Sequence, residues 1–377
     1  MNTSFSAAQL PADAAHALLV GRLRLVAGPT PVLIRDGAVF DISARAPTVA
    51  DLLDRGPEAA EGGTRICAVD ELRADRLLSP LDLQVVKAAG VTFAVSAIER
   101  VIEERARGDS QVAASIRERL ESHIGGAIRS VVPGTPEAAS LKQALIDDGL
   151  WSQYLEVAIG PDAEIFTKAP VLSTVGHGAE IGVRSDSSWN NPEPEIVLVV
   201  DSGGRAVGAT LGNDVNLRDF EGRSALLLGK AKDNNASCAI GPFIRLFDDR
   251  FTMDDVRRAR VELVVEGADG FRLEGESSMA EISRDPEDLV RQALSEHHYP
   301  DGFALFLGTL FAPVQDRDEP GRGFTHKTGD VVRISTPRLG TLVNRVTTSK
   351  SAAPWSFGVR DLMRNLAERG LLTDERF

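Results

Sequence analysis

Residues 193–200 read EPEIVLVV and place two glutamates directly before an uninterrupted apolar run. Side chains on a strand alternate between its two faces, so Glu193 and Glu195 point to the same side. Two ionised carboxylates at that spacing repel each other unless they are exposed to water or share a cation. The apolar run itself predicts a strand that is buried on both faces. The stretch therefore has two interpretations, an exposed strand edge or a cation site at the entrance to a buried strand.

A third acid follows one hairpin later, in residues 212–219, which read GNDVNLRD. Asp214 stands at the end of the next apolar strand, beside a glycine and an asparagine, where a strand gives way to a loop. Three carboxylates that converge from neighbouring strands form an oxygen-only ligand set, which suits Mg²⁺ and also Mn²⁺. This third acid favours the cation site, with Glu193, Glu195 and Asp214 as the predicted metal ligands.

Other charged residues close to these acids have competing interpretations. Lys232, in LLGKAKDNN, either brings a positive charge to the same site or is a solvated loop lysine. Arg218 and Asp219 are expected to form a buried ion pair that shapes the loop of Asp214. Cysteine and histidine residues nowhere show the spacing of a zinc site.

The composition is that of an ordinary globular protein. The chain has 377 residues, of which 43% are hydrophobic and 26% charged, enough for one large domain or two of average size. Its net charge of −13 disfavours a nucleic-acid partner, which would require a basic surface. The sequence contains no run of about 18 apolar residues, so no membrane span is predicted. Its two cysteines and an N-terminus without signal-peptide features predict a cytoplasmic protein without disulfides.

The order of elements predicts an α+β protein with a smaller N-terminal domain. Residues 1–85 read as short strands and turns, with an Asp-Gly hairpin signal at residues 36–37. Residues 86–377 form the expected catalytic domain, which contains a helical segment over about 97–150 and then strand-like segments separated by Gly, Asp and Asn. The helices predicted within the helical segment lie at 97–108, 110–126 and 135–149.

The order of these signals resembles the fumarylacetoacetate hydrolase family over roughly residues 85–350. The shared signals are E-x-E, N-D-x-x-x-R-D, a lysine before Gly-Pro, and a Gly-Thr pair followed by KTGDVVRI and LGTLVNRV. The resemblance implies a β-rich roll of mixed sheets and a divalent metal, usually Mg²⁺, on the three acids named above. It also implies that Lys232 and Thr309 belong to the site, and that the protein is a homodimer or homotetramer.

The resemblance leaves two reactions open. Hydrolases of the family activate water with a histidine that is followed three residues later by a glutamate; here Ser96 and Glu99 occupy those positions. A serine is not a base near neutral pH without assistance. The stretches VRSDSSWNNPEPE, EIFTK and SCAIGP instead resemble the 2-keto-3-deoxy-pentonate dehydratase subgroup. That subgroup implies a 2-oxo sugar acid substrate, 2-keto-3-deoxy-D-xylonate or -arabinonate, and 2-oxoglutarate semialdehyde as product. The alternative is an acylpyruvate-type C–C bond hydrolase with another water-activating group.

The subgroup also implies roles for further residues. The glutamate and lysine of EIFTK, Glu164 and Lys168, line its site, with Glu164 as the candidate base at C3 and Lys168 or Lys232 holding the substrate carboxylate and ketone. Without the resemblance, a surface glutamate before a strand is the preferred interpretation of Glu164. Arg184 and Asp186 are candidates for hydroxyl binding, with a purely structural role as the alternative. The other predicted substrate-binding residues are Ser96, Glu99 and Thr309.

Overall fold

The structure of the protein is a computed structural model that describes residues 5–56, 62–107, 109–113, 116, 128, 131–311, 313, 315–320 and 323–372. The strands of the described residues are β1 (Leu19–Leu25), β2 (Gly28–Arg35), β3 (Ala38–Asp41), β4 (Thr64–Ala68), β5 (Leu77–Leu78), β6 (Val85–Gly90), β7 (Glu164–Ala169), β8 (Glu180–Val183), β9 (Asn190–Asn191), β10 (Pro194–Val200), β11 (Ala206–Asp214), β12 (Asn216–Leu217), β13 (Cys238–Leu246), β14 (Arg260–Glu266), β15 (Arg272–Ser278), β16 (Phe303–Phe306), β17 (Val331–Thr336) and β18 (Gly340–Thr348). The α-helices are α1 (Val49–Arg55), α2 (Ala94–Arg105), α3 (Pro136–Asp147), α4 (Gln153–Ile159), α5 (Arg218–Glu221), α6 (Leu228–Lys232), α7 (Met253–Arg257), α8 (Pro286–Leu294) and α9 (Val359–Glu368).

The strands form mixed sheets. The largest sheet has the strand order β4-β3-β2-β1-β13-β11-β10-β16-β6-β7, with β5 beside β1. A second sheet has the order β15-β14-β17-β18-β8, and β9 pairs only with β12. Neighbouring strands are antiparallel except for β16 with β6 and β18 with β8, which are parallel. The predicted α+β class with a β-rich second part is confirmed.

Strand β10 is buried on both faces, as the apolar run predicts. Ile196, Leu198 and Val200 belong to the core shared with the second sheet, whereas Val197 and Val199 belong to the core on the opposite face, which also holds residues of α1. A fully buried aliphatic side chain contributes roughly 1.5–3 kcal/mol. The strand that follows the two glutamates is therefore anchored from both sides.

The N-terminal strands continue the large sheet rather than forming a separate one. The predicted hairpin is confirmed: Asp36 and Gly37 connect β2 to β3 with φ angles of 48° and 70°, the left-handed region that a tight two-residue turn requires. Strand β1 pairs with β13, whose partners include Leu19 opposite Arg245. The division into domains at residue 85 stays a prediction.

The helical segment is confirmed where the structure describes it. Helix α2 covers most of the first predicted helix, and α3 begins after Thr135, whose hydroxyl accepts a hydrogen bond from the N–H of Ala138 as an N-cap. Most of the helix predicted at 110–126 lies outside the described residues. In the described part of the chain, no helix has both the length and the apolar character needed to span a bilayer.

Candidate active site

The three predicted metal ligands meet at the ends of two paired strands. Glu195 is the second residue of β10, Glu193 lies just before that strand, and Asp214 ends β11. The strands are antiparallel, and the N–H of Asp214 donates to the carbonyl of Glu193 at 3.1 Å. One carboxylate oxygen from each residue lies within 4.8 Å of the other two, and all three residues are buried. The sequence prediction that these acids converge therefore agrees with the geometry.

Two buried lysines offset part of this negative charge. Lys232 Nζ lies 2.5 Å from Glu193 Oε2 and 3.0 Å from Asp214 Oδ2, and Lys168 Nζ lies 2.9 Å from Asp214 Oδ1. Burial alone would lower the pKa of Lys232, but Asp214 and Glu193 outweigh burial and raise it. The two lysines in turn outweigh the burial of Asp214 and lower the pKa of its carboxyl. Lys232 is thus a buried, protonated part of the site rather than a solvated loop lysine.

Less positive charge lies close to the Glu195 carboxylate than to those of Glu193 and Asp214. Its Oε2 accepts a hydrogen bond from the N–H of Gly308 at 2.6 Å. Burial, together with the charges of Asp214 and Glu193, raises the pKa of Glu195 well above its ordinary value. A divalent cation among the three carboxylates would supply the missing positive charge. The buried, all-oxygen donor set therefore fits such a cation.

Helix α2 turns a charged face toward these acids. The Arg100 guanidinium lies 2.8 Å from Glu193, 2.7 Å from Glu103 and 2.8 Å from Glu221. Burial raises the pKa of Glu221 to about 7, although Arg100 opposes this rise. Arg100 therefore links a predicted metal ligand to two further buried carboxylates. The polar residues of this helix that line the cavity are Ser96, Glu99, Arg100 and Glu103.

Arg218 joins the same network from α5. Its guanidinium lies 3.0 Å from Glu99 and 2.6 Å from Glu103. Asp219 instead accepts hydrogen bonds from the Ser187 hydroxyl and from the N–H of Ser188. The expectation of an Arg218–Asp219 ion pair is wrong. Consecutive residues on a helix point in different directions, so the two side chains find separate partners.

Glu164 begins β7 opposite Gly90 of β6, at the edge of the same cavity. Its carboxylate lies directly over this glycine: a Cβ atom at Gly90 would be 2.2 Å from Glu164 Oε2. Burial raises the pKa of Glu164, with Arg100 and Lys232 opposing the rise. Glu164 is thus a partly buried cavity residue, and a glycine on the neighbouring strand makes room for it.

The structure brings most of the predicted site residues to one cavity. Lys168 lies behind that cavity, where it contacts Asp214. Arg184 and Asp186 are not brought there: they pair with each other at 2.8 Å, and more than half of the Asp186 side chain is exposed. The predicted residues that line the cavity are Ser96, Glu99, Glu164, Glu193, Glu195, Asp214, Lys232 and Thr309.

Ser96 caps the helix that carries it. Its hydroxyl donates to the carbonyl of Phe93 at 2.7 Å and accepts from the N–H of Phe93 at 3.2 Å. Among the described residues that line the cavity there is no histidine. The position that a water-activating histidine occupies in the hydrolases therefore serves helix capping in this protein.

Sequence reasoning missed several residues of this cavity. Arg100 and Glu103 read as ordinary helix charges, although the spacing of Ser96, Glu99, Arg100 and Glu103 on one helical face was a usable signal. Glu221 was not singled out at all. Two asparagines, Asn191 and Asn216, were also missed. They line the cavity from β9 and β12, strands too short to be seen in the sequence.

Comparisons with known proteins identify relatives of this chain. The 2-dehydro-3-deoxy-D-arabinonate dehydratase of Saccharolobus solfataricus is 35% identical over 188 residues, which are 48% of this chain and 58% of that protein. A protein of Haloferax volcanii named "Probable 2-keto-3-deoxyxylonate dehydratase" is 33% identical over 195 residues, 52% of this chain and 64% of that protein. The chain thus spans less than two thirds of the length of these curated relatives.

A likeness of fold extends over most of the chain. The structure of a 2-keto-3-deoxy-D-arabinonate dehydratase complexed with magnesium and 2,5-dioxopentanoate superposes with a TM-score of 0.63 at 24% identity, covering 88% of this chain and 99% of that one. Residues 152–347 match the family described as fumarylacetoacetate (FAA) hydrolase C-terminal. This match covers more than half of the sequence and includes Glu164, Lys232 and all three predicted metal ligands. The chain belongs to the fumarylacetoacetate hydrolase family.

Proposed function

We propose that the protein is a metal-dependent dehydratase of a 2-keto-3-deoxy pentonate, with 2,5-dioxopentanoate (2-oxoglutarate semialdehyde) as product. The observation that carries the proposal is the cavity itself: three buried carboxylates and Lys232 lie in one site with Glu164, and a capping serine stands where the hydrolases have a histidine. The names of the two curated relatives support the same reaction.

The residues that would hold the metal are Glu193, Glu195 and Asp214. Their oxygen-only set suits Mg²⁺, with Mn²⁺ as a second candidate, and the solved relative complexed with magnesium supports Mg²⁺. When bound, the ion supplies a positive charge that draws electrons from the 2-oxo group and makes the C3 protons of the substrate more acidic.

Glu164 is the proposed base that accepts a C3 proton. A base must be unprotonated to act, and a raised pKa makes the unprotonated carboxylate a better proton acceptor; burial raises the pKa of Glu164 in this way. Lys232 stays protonated because Asp214 and Glu193 lie against it. It therefore serves as a fixed cation for the substrate carboxylate rather than as a base, while Lys168 holds Asp214 in place.

Glu221 is the proposed donor to the leaving hydroxyl at C4. It lines the cavity, and its pKa of about 7 keeps a large fraction of the carboxyl protonated at neutral pH. The C3–H electron pair forms the C3=C4 bond, the C4–O bond breaks, and the Glu221 proton completes a water molecule. In the remaining 5-hydroxy enone, a proton moves from C5 to C3 and gives a C4=C5 enol. The hydroxyl proton of this enol then moves to C4 and leaves the aldehyde at C5, so the net change is the loss of one water.

The test uses the full chain with Mg²⁺ and each of two acids, 2-keto-3-deoxy-D-xylonate and 2-keto-3-deoxy-D-arabinonate. A semialdehyde dehydrogenase reports the product through reduction of its nicotinamide cofactor. We expect at least one acid to give product and EDTA to stop the reaction. Consumption of acylpyruvates alone would contradict the dehydratase and favour the hydrolase.

Two further expectations belong to the same proposal. The substrate is a small anionic molecule rather than a nucleic acid or a membrane, and the active form is a homodimer or homotetramer in the cytoplasm. Light scattering on the purified protein measures the mass of the assembly. A monomer with full activity would contradict the expected oligomer without affecting the proposed reaction.

A further inference from the structure

Two buried asparagines form a separate polar patch in the cavity. Asn191 of β9 and Asn216 of β12 lie opposite each other in the two-stranded sheet. Both line the cavity, and their exposed fractions are only 2% and 1%. The proposed mechanism involves neither residue.

The amide oxygens of this pair are acceptors without a donor. Asn191 Nδ2 donates to the carbonyl of Pro192 at 2.9 Å, which fixes the orientation of the amide and leaves Oδ1 free to face elsewhere. Within the described part of the chain, no group donates to Asn191 Oδ1 or to Asn216 Oδ1. Buried polar atoms are almost always hydrogen-bonded. Since both residues line the cavity, the natural donor for their two unmatched acceptors is the ligand.

The chemistry of the acceptors decides which ligand groups they fit. A neutral amide oxygen accepts from an O–H group, and it adds no charge to a cavity that already holds Glu193, Glu195 and Glu221. An acylpyruvate presents a ketone oxygen at C4, which is itself an acceptor. A deoxy pentonate presents hydroxyl groups at C4 and C5, which are donors.

We propose that Asn191 and Asn216 are the specificity residues that recognise the C5 hydroxyl of the substrate, an inference that rests on the proposed function. The C4 hydroxyl leaves as water and requires a proton donor, so it is served by Glu221. The C5 hydroxyl stays on the molecule, and an acceptor suits it. The asparagine pair thus selects hydroxylated 2-oxo acids, because an acid without the hydroxyl leaves a buried acceptor unmatched.

The test compares two ligands that differ by one hydroxyl, 5-hydroxy-2-oxopentanoate and 2-oxopentanoate. Neither has a hydroxyl at C4, so neither loses water, and calorimetry in Mg²⁺ measures recognition alone. The wild-type protein is expected to bind the hydroxylated acid about tenfold more tightly, the value of one good hydrogen bond. Asn191→Leu or Asn216→Leu removes this preference in at least one of the two variants, while the affinity for 2-oxopentanoate stays within about threefold.

A matched control is Asn344→Leu. Asn344 is equally buried, but it donates to the carbonyls of Gly176 and Ala179 and does not line the cavity, so the hydroxyl preference is expected to persist. Thermal melting verifies folding, and Asn191→Ala and Asn216→Ala replace a leucine variant that does not fold.

Two results would overturn the inference: equal wild-type affinity for the two acids, or a preference that survives in both asparagine variants. Failure of the proposed function gives a different signature. In that case the wild-type protein forms no semialdehyde from either pentonate, while the binding preference and its loss in the variants are still observed.

Discussion

Replacing Gly90 by alanine moves the proposed base without removing it. A Cβ atom at this position would lie 2.2 Å from Glu164 Oε2 and 2.9 Å from its Cδ. Since non-bonded atoms settle at roughly 3.5 Å, the carboxylate has to retreat by about 1 Å. A displacement of about 1 Å in a catalytic group costs on the order of a hundredfold in rate. We expect kcat of Gly90→Ala to fall by about that factor.

Proton exchange isolates the step in which Glu164 acts. In D₂O with Mg²⁺, the enzyme is expected to exchange the C3 protons of 2-oxopentanoate, which has no leaving group, and NMR follows the exchange. Gly90→Ala slows it about a hundredfold, and Glu164→Gln slows it further because no base remains. Mg²⁺ affinity is unchanged in Gly90→Ala, since Glu164 is not among the proposed ligands.

The matched control is Gly229→Ala, where an added Cβ meets no atom within 4 Å and exchange is expected at the wild-type rate. The reasoning is refuted if Gly90→Ala, folded and with unchanged Mg²⁺ affinity, exchanges C3 protons as fast as the wild-type protein. Glu164 would then lie in the cavity without acting as the base.

Three other substitutions test the rest of the site. Glu195→Gln lowers the Mg²⁺ affinity measured by calorimetry at least about tenfold, and a metal affinity at the wild-type level would exclude Glu195 as a ligand. The same variant has a higher melting temperature in EDTA, because one of three repelling acids becomes neutral. In wild type, kcat falls above about pH 7 as Glu221 loses its proton; Glu221→Gln lowers kcat and removes that alkaline limb, so a variant that keeps the limb excludes Glu221 as the donor. Arg218→Met takes one cationic partner away from the buried carboxylates of Glu99 and Glu103 and costs about 3–5 kcal/mol in urea unfolding. The effect shrinks at low pH as the carboxylates gain protons, and an unchanged stability would contradict the buried network.

The sequence predicted that the three proposed metal ligands converge, because they lie on or directly beside consecutive strands. Glu195 and Asp214 belong to paired strands joined by one hairpin, and Glu193 directly precedes the first of them, so the order of the three acids along the chain nearly fixes their positions in space. The buried strand after them was also predictable from the sequence, because β10 is apolar at successive positions and has a core on each side. Local pairing rules were sufficient for this half of the site.

The same reasoning misplaced charged residues that lie outside these two strands. Arg184 and Asp186 precede the metal ligands closely, but they pair with each other at the surface instead of lining the cavity. Arg218 reaches Glu99 and Glu103, more than a hundred residues earlier in the chain. Proximity in sequence gives the direction of a side chain only within one regular element, and a loop or a single helical turn removes that information.

Helix α2 shows why Arg100 and Glu103 were not recognised as cavity residues from its sequence. Charged residues on one face and apolar residues on the other are typical of a surface helix, yet here the apolar face packs into its own core and the charged face is also buried, against the site. Such a face is stable only because Arg100 meets Glu193, Glu103 and Glu221 there, and a buried charge without partners would be very costly. Two of these partners, Glu193 and Glu221, come from distant parts of the chain, so only the folded chain shows that the polar stripe is an interior surface. The helix that in the hydrolases bears the water-activating histidine here brings an arginine to the proposed metal ligands. This arrangement agrees with the proposed dehydration, which activates no water.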